Sequence, residues 1–181
     1  MSSGDLANRY SQALFEIAKE TNSYEKYFEE LKRFSAVLEE NESFREFLFN
    51  PIFDRDDKKA VVGEVLEKLG IAGVVANFLK LLVDKGRINI LEDILNAYQY
   101  LMDQALNKAR VSVKTAYPLS DDLVAEVKKT LEGLTKKRVE MAIQEDPSLL
   151  GGIVVKIGDT VYDGSVKAQL NKIRELLGEE I

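Results

Sequence analysis

Residues 151–170 of the chain read GGIVVKIGDTVYDGSVKAQL. Apolar residues alternate after the double glycine, which predicts a half-buried strand, and the Gly158–Asp159 pair supplies a turn into a second short strand. Asp163 or Ser165 can then cap a helix that continues to the end of the stretch. The local sequence therefore predicts a β-hairpin that leads directly into a helix.

The composition of the 181 residues is that of a globular protein, with 45% hydrophobic and 31% charged residues. This length suits one or two compact units, and two are expected. Apolar runs stay well short of the ~20 residues that cross a bilayer, so no membrane insertion is expected. Residues 1–5 have neither the basic nor the apolar part of a secretory signal, which indicates a bacterial cytoplasmic location.

Cysteine and histidine are both absent from the chain. Their absence removes thiolate chemistry, the commonest general base and the usual zinc ligands. The net charge of -6 disfavours binding to a phosphate backbone. The short basic run at Lys136–Arg138 is better explained as a solvated turn than as a nucleic-acid site, so no nucleic acid is expected as a partner.

The first domain, residues 1–106, is predicted to be a six-helix bundle because its apolar residues recur at spacings of three and four. The fifth helix, about residues 72–85, is unusual. At 100° per residue its apolar side chains sweep roughly 220°, which is wider than the stripe of an ordinary surface helix. The helix is therefore either the centre of the bundle or one wall of a groove that receives a partner helix.

The second domain, residues 107–181, is predicted to be a small α/β domain, which makes the fold class α+β. Alternation through Val111 and Val113 predicts a strand, Ser120 caps a helix, and a second strand passes through Met141 before the hairpin. The sheet is expected to be mixed and to carry two helices. The apolar face of the last helix is expected to pack onto it through Val166, Leu170, Ile173, Leu176 and Leu177.

No catalytic or metal-binding pattern is favoured by the sequence. Residues 54–57 begin like a calcium loop, but Lys59 occupies the position that needs glycine. Glu145 and Asp146 are adjacent in an extended segment, so their carboxylates diverge, and Ser165 and Lys167 do not face each other on a helix. No catalytic residue, cofactor or metal is predicted.

Three segments resemble one family. Residues 7–18 read ANRYSQALFEIA, residues 77–87 read NFLKLLVDKGR, and residues 151–170 are the stretch quoted above. Together they resemble the delta subunit of F-type ATP synthases, called OSCP in mitochondria. The most specific part is the C-terminal signature, formed by Gly151, Gly152, Gly158, Asp163, Ser165 and Leu170.

This resemblance implies a non-catalytic stator subunit of the rotary ATP synthase. The helical domain of such a subunit docks on the α3β3 head, and the α/β domain meets the C-terminal region of the b subunits of the peripheral stalk. The subunit keeps the head from rotating with the central shaft. It lies at the cytoplasmic face of the bacterial inner membrane as a peripheral component and carries no cofactor.

The resemblance also implies that the first and fifth helices form a groove for the N-terminal helix of an α subunit. Leu14 and Phe78 suit the interior of the bundle equally well. A stand-alone regulatory adaptor that binds some other amphipathic helix is the alternative, and a carboxylate-dependent hydrolase is a weaker one. The residues expected in the groove are Tyr10, Ala13, Leu14 and Ile17 on the first helix and Val75, Phe78, Leu79 and Leu82 on the fifth.

Overall fold

The computed structural model describes residues 3–176 and residue 178. The chain divides into two compact units between Met102 and Asp103. The sequence placed the domain boundary slightly later, after residue 106. Leu177, which the sequence assigned to the apolar face of the last helix, lies outside the described residues.

The described part of the first unit is helical, as the sequence predicts. A 3-10 turn at Ile88–Ile90 leads into the last of its α-helices. The helices are α1 (Ser3–Glu20), α2 (Tyr24–Glu40), α3 (Glu42–Phe49), α4 (Arg55–Lys68), α5 (Val74–Asp84) and α6 (Leu91–Ala105).

Polar side chains and glycines set the limits of these helices. Asn41 begins α3, where its Oδ1 accepts the Phe44 N–H at 3.0 Å. Asp54 begins α4 in the same manner, as predicted, and accepts the Asp56 N–H. Gly70 follows α4 with φ of +64°, a conformation that glycine adopts without a steric cost. Local sequence therefore sets the start of α3 and both ends of α4.

Tyr98 of α6 lies at the centre of the first unit and is fully buried. Its ring contacts Phe15 edge-on and stacks with Phe28, and its hydroxyl donates to the Tyr24 carbonyl at 3.2 Å. Burial raises the pKa of Tyr98 far above its ordinary value of 10.0 because the phenolate would lose its hydration. Aromatic packing, completed by one internal hydrogen bond, thus holds the bundle together.

The second unit contains a four-stranded mixed sheet in the order β2-β1-β3-β4. β1 pairs parallel with β2 and antiparallel with β3, and β3 and β4 form the predicted hairpin. The fold class is therefore α+β, as predicted. The elements are β1 (Lys108–Thr115), α7 (Asp121–Thr135), β2 (Arg138–Glu145), β3 (Ile153–Ile157), β4 (Thr160–Asp163) and α8 (Val166–Leu176).

The core of the second unit lies between the sheet and α7. Val111 and Val113 of β1, Val139 of β2 and Leu131 of α7 form its buried centre. Alternate residues of β1 point to the other side of the sheet, where Ser112 is exposed. One face of the sheet thus carries most of this small core.

The apolar face of α8 corrects the sequence prediction. Within its described residues α8 has no buried side chain, so the expectation that this face is covered by the sheet is wrong. The pattern shows that a helix has an apolar face, but it does not show that the same chain covers that face. Four of the predicted core residues are instead exposed: Val166, Leu170, Ile173 and Leu176.

Candidate partner-binding surfaces

An open groove of about 430 Å³ runs between α1 and α5. Leu14 and Phe78 are buried and form its floor. Ile17 and Leu81 are 41% and 43% exposed and stand at its edges. The residues that line this α1–α5 groove are Tyr10, Ala13, Leu14, Ile17, Val74, Asn77, Phe78 and Leu81.

The four α1 residues that the sequence predicts for the groove line this cleft, and of the four α5 residues only Phe78 does so. Val75, Leu79 and Leu82 are fully buried in the bundle and do not line the groove. Each step along a helix turns the side chain by 100°, and α5 is apolar on both sides, so periodicity could not separate its core side from its groove side. Val74, Asn77 and Leu81 line the groove and are not among the residues that the sequence predicts for it.

Tyr10 is held in place at the groove by two neighbours. Its hydroxyl accepts a hydrogen bond from Arg87 Nη1 at 2.9 Å, and the guanidinium carbon lies 5.7 Å from the centre of its ring. Phe78 packs edge-on against the same ring, with the ring centres 6.1 Å apart. These contacts connect the N-terminal helix to the segment after α5, and they order the groove before any ligand arrives.

The glycines of the C-terminal signature allow close packing where the hairpin meets α8. Gly152 has φ of +77°, and a Cβ there would overlap the carbonyl oxygen of Gly164. A Cβ on Gly151 would come within 2.9 Å of the Val166 side chain. The Gly151 carbonyl accepts the Val166 N–H at 3.0 Å. The double glycine is therefore a structural requirement for joining the start of the hairpin to the start of α8.

Asp163 and Ser165 both act at the start of α8, so the two caps that the sequence left as alternatives are used together. Asp163 Oδ1 accepts the Ser165 N–H at 2.9 Å, and Ser165 Oγ accepts the Ala168 N–H at 3.1 Å. Ser165 is buried, and its hydrogen bonds lower the pKa of Asp163. Gly158, with φ of +57°, makes the hairpin turn. Leu170, the last residue of the signature, is exposed on α8.

The second candidate surface is the exposed apolar face of α8, defined by Val166, Leu170, Ile173 and Leu176. The first three lie at i, i+4 and i+7 and share one side of the helix. A contiguous apolar face of this kind is typical of a protein interface. We call it the α8 surface.

The described residues offer no group of three or more histidine, cysteine or acidic side chains placed to hold a metal ion. Among the same residues, no helix combines the length and the apolar character that a membrane span needs.

Comparisons with known proteins agree over almost the whole chain. The chain is 49% identical over 181 residues to the ATP synthase subunit delta of Syntrophus aciditrophicus, covering all of both chains. It is 38% identical to the ATP synthase subunit delta of Geobacter metallireducens, covering 98% of each chain.

A solved structure has the same fold. A chain of the cryo-EM structure of the Toxoplasma gondii mitochondrial ATP synthase hexamer matches with a TM-score of 0.69 and 23% identity, covering 97% of this chain and 99% of that one. The model of the ATP synthase delta (OSCP) subunit family matches residues 6–177. The chain therefore belongs to the ATP synthase delta (OSCP) subunit family.

Proposed function

We propose that this protein is the non-catalytic stator subunit that links the α3β3 head of an F-type ATP synthase to the b subunits of the peripheral stalk. The observation that carries the proposal is the α1–α5 groove, which is apolar, already ordered and as long as two turns of helix α1. Membership of the family supports the assignment to an ATP synthase, and the groove supports attachment through a bound helix.

The partner in the groove is the amphipathic N-terminal helix of an α subunit. Helices that bind in grooves place apolar anchors at i, i+3 or i+4 and i+7 into an apolar cleft. The α1–α5 groove meets this requirement because Asn77 is the one amide among its lining side chains. Ile17 and Leu81 stand at the edges, where they can close over the anchors of the bound helix.

The partner on the second unit is the C-terminal region of the b subunits, bound at the α8 surface. Apolar side chains this exposed are stabilised when a partner removes them from water, by about 25 cal/mol for each Å² buried. The two partner surfaces belong to different units of the chain. One copy of the protein can therefore hold the head and the stalk at the same time.

Attachment through these two surfaces explains how the subunit acts without chemistry of its own. The head experiences torque whenever the central shaft turns, and a stator contact must dissociate much more slowly than the shaft rotates. Apolar contacts on an ordered groove favour slow dissociation, since little binding energy is lost to ordering the protein. The protein is held at the cytoplasmic face of the inner membrane by its partners.

The groove can be tested by calorimetric titration of the full chain with a peptide of the cognate α-subunit N-terminus. Leu81→Asp places a carboxylate at the groove edge, and because that charge would be desolvated under the helix, we expect binding at least a hundredfold weaker. Tyr100→Asp, at an exposed position of α6 outside the groove, is the matched control and should bind the peptide as the unmodified chain does. The groove assignment would be refuted if the folded, unmodified chain did not bind the peptide, or if Leu81→Asp bound the peptide as tightly as the unmodified chain.

A further inference from the structure

We propose that the first unit carries a second binding site, for a peptide segment of a neighbouring subunit in which a carboxylate adjoins a large apolar side chain. The site is a cavity of about 350 Å³ next to the connection between α3 and α4, which we call the α3–α4 pocket. It shares no lining residue with the α1–α5 groove and goes beyond the proposed function. Its lining includes Phe49, Phe53, Arg55, Lys58, Val83 and Ile88.

The apolar part of the site is unusually exposed for a short connection. Phe49 and Phe53 are both half-exposed, and Ile52 between them in sequence is 85% exposed. Phe53 is nonetheless ordered, because its ring packs on Phe47 with the ring centres 4.7 Å apart. Large apolar side chains that are exposed together in this way are typical of contact sites.

The polar part of the site includes two cations, Arg55 and Lys58, beside the amide of Asn89. Lys58 is only 8% exposed, and its ammonium donates to the Asn50 carbonyl at the end of α3, at 2.6 Å. An ammonium has three donors, and within the described residues this carbonyl is its one recorded partner. Arg55 is exposed and lines the same cavity. A buried ammonium without a carboxylate is incompletely compensated, so an incoming anion would be stabilised there.

The charge of the pocket lining is positive, whereas the net charge of the whole chain is negative. The chain has 31 acidic and 25 basic residues, yet none of the described residues that line this pocket is acidic. On the helices that border the pocket, Asp56 and Asp84 are both bound to Lys59, at 3.0 and 3.1 Å, and Arg55 also attracts Asp84. Asp54 and Asp57, at the start of α4, are exposed and do not line the cavity. The pocket is therefore a positive site in an acidic protein, which is complementary to a negatively charged partner.

The size of the cavity limits the ligand. A volume of 350 Å³ is near the lower end of ligand pockets, which admits one large side chain with an adjoining carboxylate but not a whole helix. The aromatic residues would surround the apolar side chain, while Arg55 and Lys58 would bind the carboxylate. A segment containing Glu-Phe or Asp-Leu has the required chemistry.

The test uses the full chain labelled with ¹⁵N and two blocked peptides, AEFLA and AQFLA, which differ only in charge. We expect AEFLA to shift the amide signals of the α3–α4 connection and AQFLA to bind about tenfold more weakly, since charged hydrogen bonds are the stronger ones. Arg55→Gln should weaken the binding of AEFLA to the same extent. Because Arg55 is exposed, this substitution should leave the fold intact. Lys58→Met removes the buried cation and should also weaken the binding of AEFLA. Lys32→Met, at an exposed position of α2, is the control and should leave that binding unchanged.

Three results would overturn the proposal. The first is equal binding of the two peptides, which would leave the cations without a role. The second is a set of shifts confined to the α1–α5 groove, which would leave the α3–α4 pocket without a ligand. The third is the absence of shifts with either peptide at millimolar concentration. Since the groove is tested by a different peptide and by Leu81→Asp, failure here is distinct from failure of the proposed function.

Discussion

The two units bury their apolar side chains in different ways. In the helical unit Leu31, Phe34 and Tyr98 are fully buried, and several helices contribute to one core. In the α/β unit the described buried apolar residues are few, and half of them lie on one face of the sheet. They are Val111, Val113, Ala116, Leu131, Val139 and Leu149.

If both surfaces bind partners as proposed, the two units do so in different ways. The helical unit completes its core and leaves a shaped groove on top of it, so its surface is ordered by residues that are already packed. The α/β unit leaves the apolar face of α8 uncovered, so the partner itself would complete the packing of that helix. Substitutions of packed residues in the helical unit should therefore lower its stability, whereas substitutions on the exposed face of α8 should affect binding more than stability. The following substitutions test that difference.

The largest effect should come from deleting a core side chain of the helical unit. Leu79→Ala removes a fully buried side chain from α5, and we expect a loss of about 2–5 kcal/mol in the free energy of unfolding of that unit. Leu170→Ala on α8 should cost less than about 1 kcal/mol, because Leu170 is already exposed. Amide hydrogen exchange of the full chain measures each unit separately. Equal costs at the two positions would contradict the comparison.

The next effect concerns the junction between the hairpin and α8. Gly152→Ala forces a side chain into positive φ and into the Gly164 carbonyl, so we expect a loss of about 2–3 kcal/mol in the α/β unit. Gly158→Ala is the matched control, because it has positive φ but open space around its Cα, and it should cost about 1 kcal/mol. Amide hydrogen exchange of the α/β unit in the full chain measures both costs. If the two alanine variants were equally stable, the close approach at Gly152 would have no energetic role.

A smaller effect should follow removal of the hydrogen bond that Tyr98 makes inside the helical unit. Tyr98→Phe deletes the hydroxyl that donates to the Tyr24 carbonyl, and we expect a cost of about 1 kcal/mol at neutral pH. Thermal unfolding followed by circular dichroism provides the measurement. A stabilised variant would show that the hydroxyl is poorly compensated in the folded state.

Tyr98 should also make stability depend on alkaline pH. Burial raises the pKa of Tyr98 in the folded state above the unfolded value near 10, so its stabilising contribution is complete below pH 10 and is lost as the pH rises above 10. The unmodified chain should therefore lose up to about 1.4 kcal/mol more per pH unit there than Tyr98→Phe. If the free energy of unfolding fell equally with pH in the two proteins, a raised pKa of Tyr98 in the folded state would be contradicted.

Much of the fold could be predicted from the sequence because local signals were strong. Asp54 and Ser120 were identified as helix caps, and both accept the expected backbone N–H. The change of period after the helical region predicted the sheet, and the Gly158–Asp159 turn predicted the hairpin. These features depend on neighbours in sequence, which is the information that periodicity and turn chemistry contain.

The remaining features depend on contacts between distant residues. The wide apolar sweep of α5 indicated that both of its sides are covered or awaiting a partner, but only the packed structure assigns Leu79 to the core and Leu81 to the groove. The apolar stripe of α8 gave no sign that Ile173 remains exposed. The link between Tyr10 and Arg87 joins residues far apart in the chain, and neither residue type predicts it.

The most direct test of the linkage is reconstitution of an ATP synthase depleted of this subunit, with ATP hydrolysis and ATP-driven proton pumping measured together. The unmodified chain should restore pumping. Leu81→Asp in the groove and Ile173→Asp on the α8 surface should each leave hydrolysis intact and reduce pumping at least tenfold, because either loss disconnects head from stalk. Full pumping with either variant would contradict the claim that both surfaces hold the stator together.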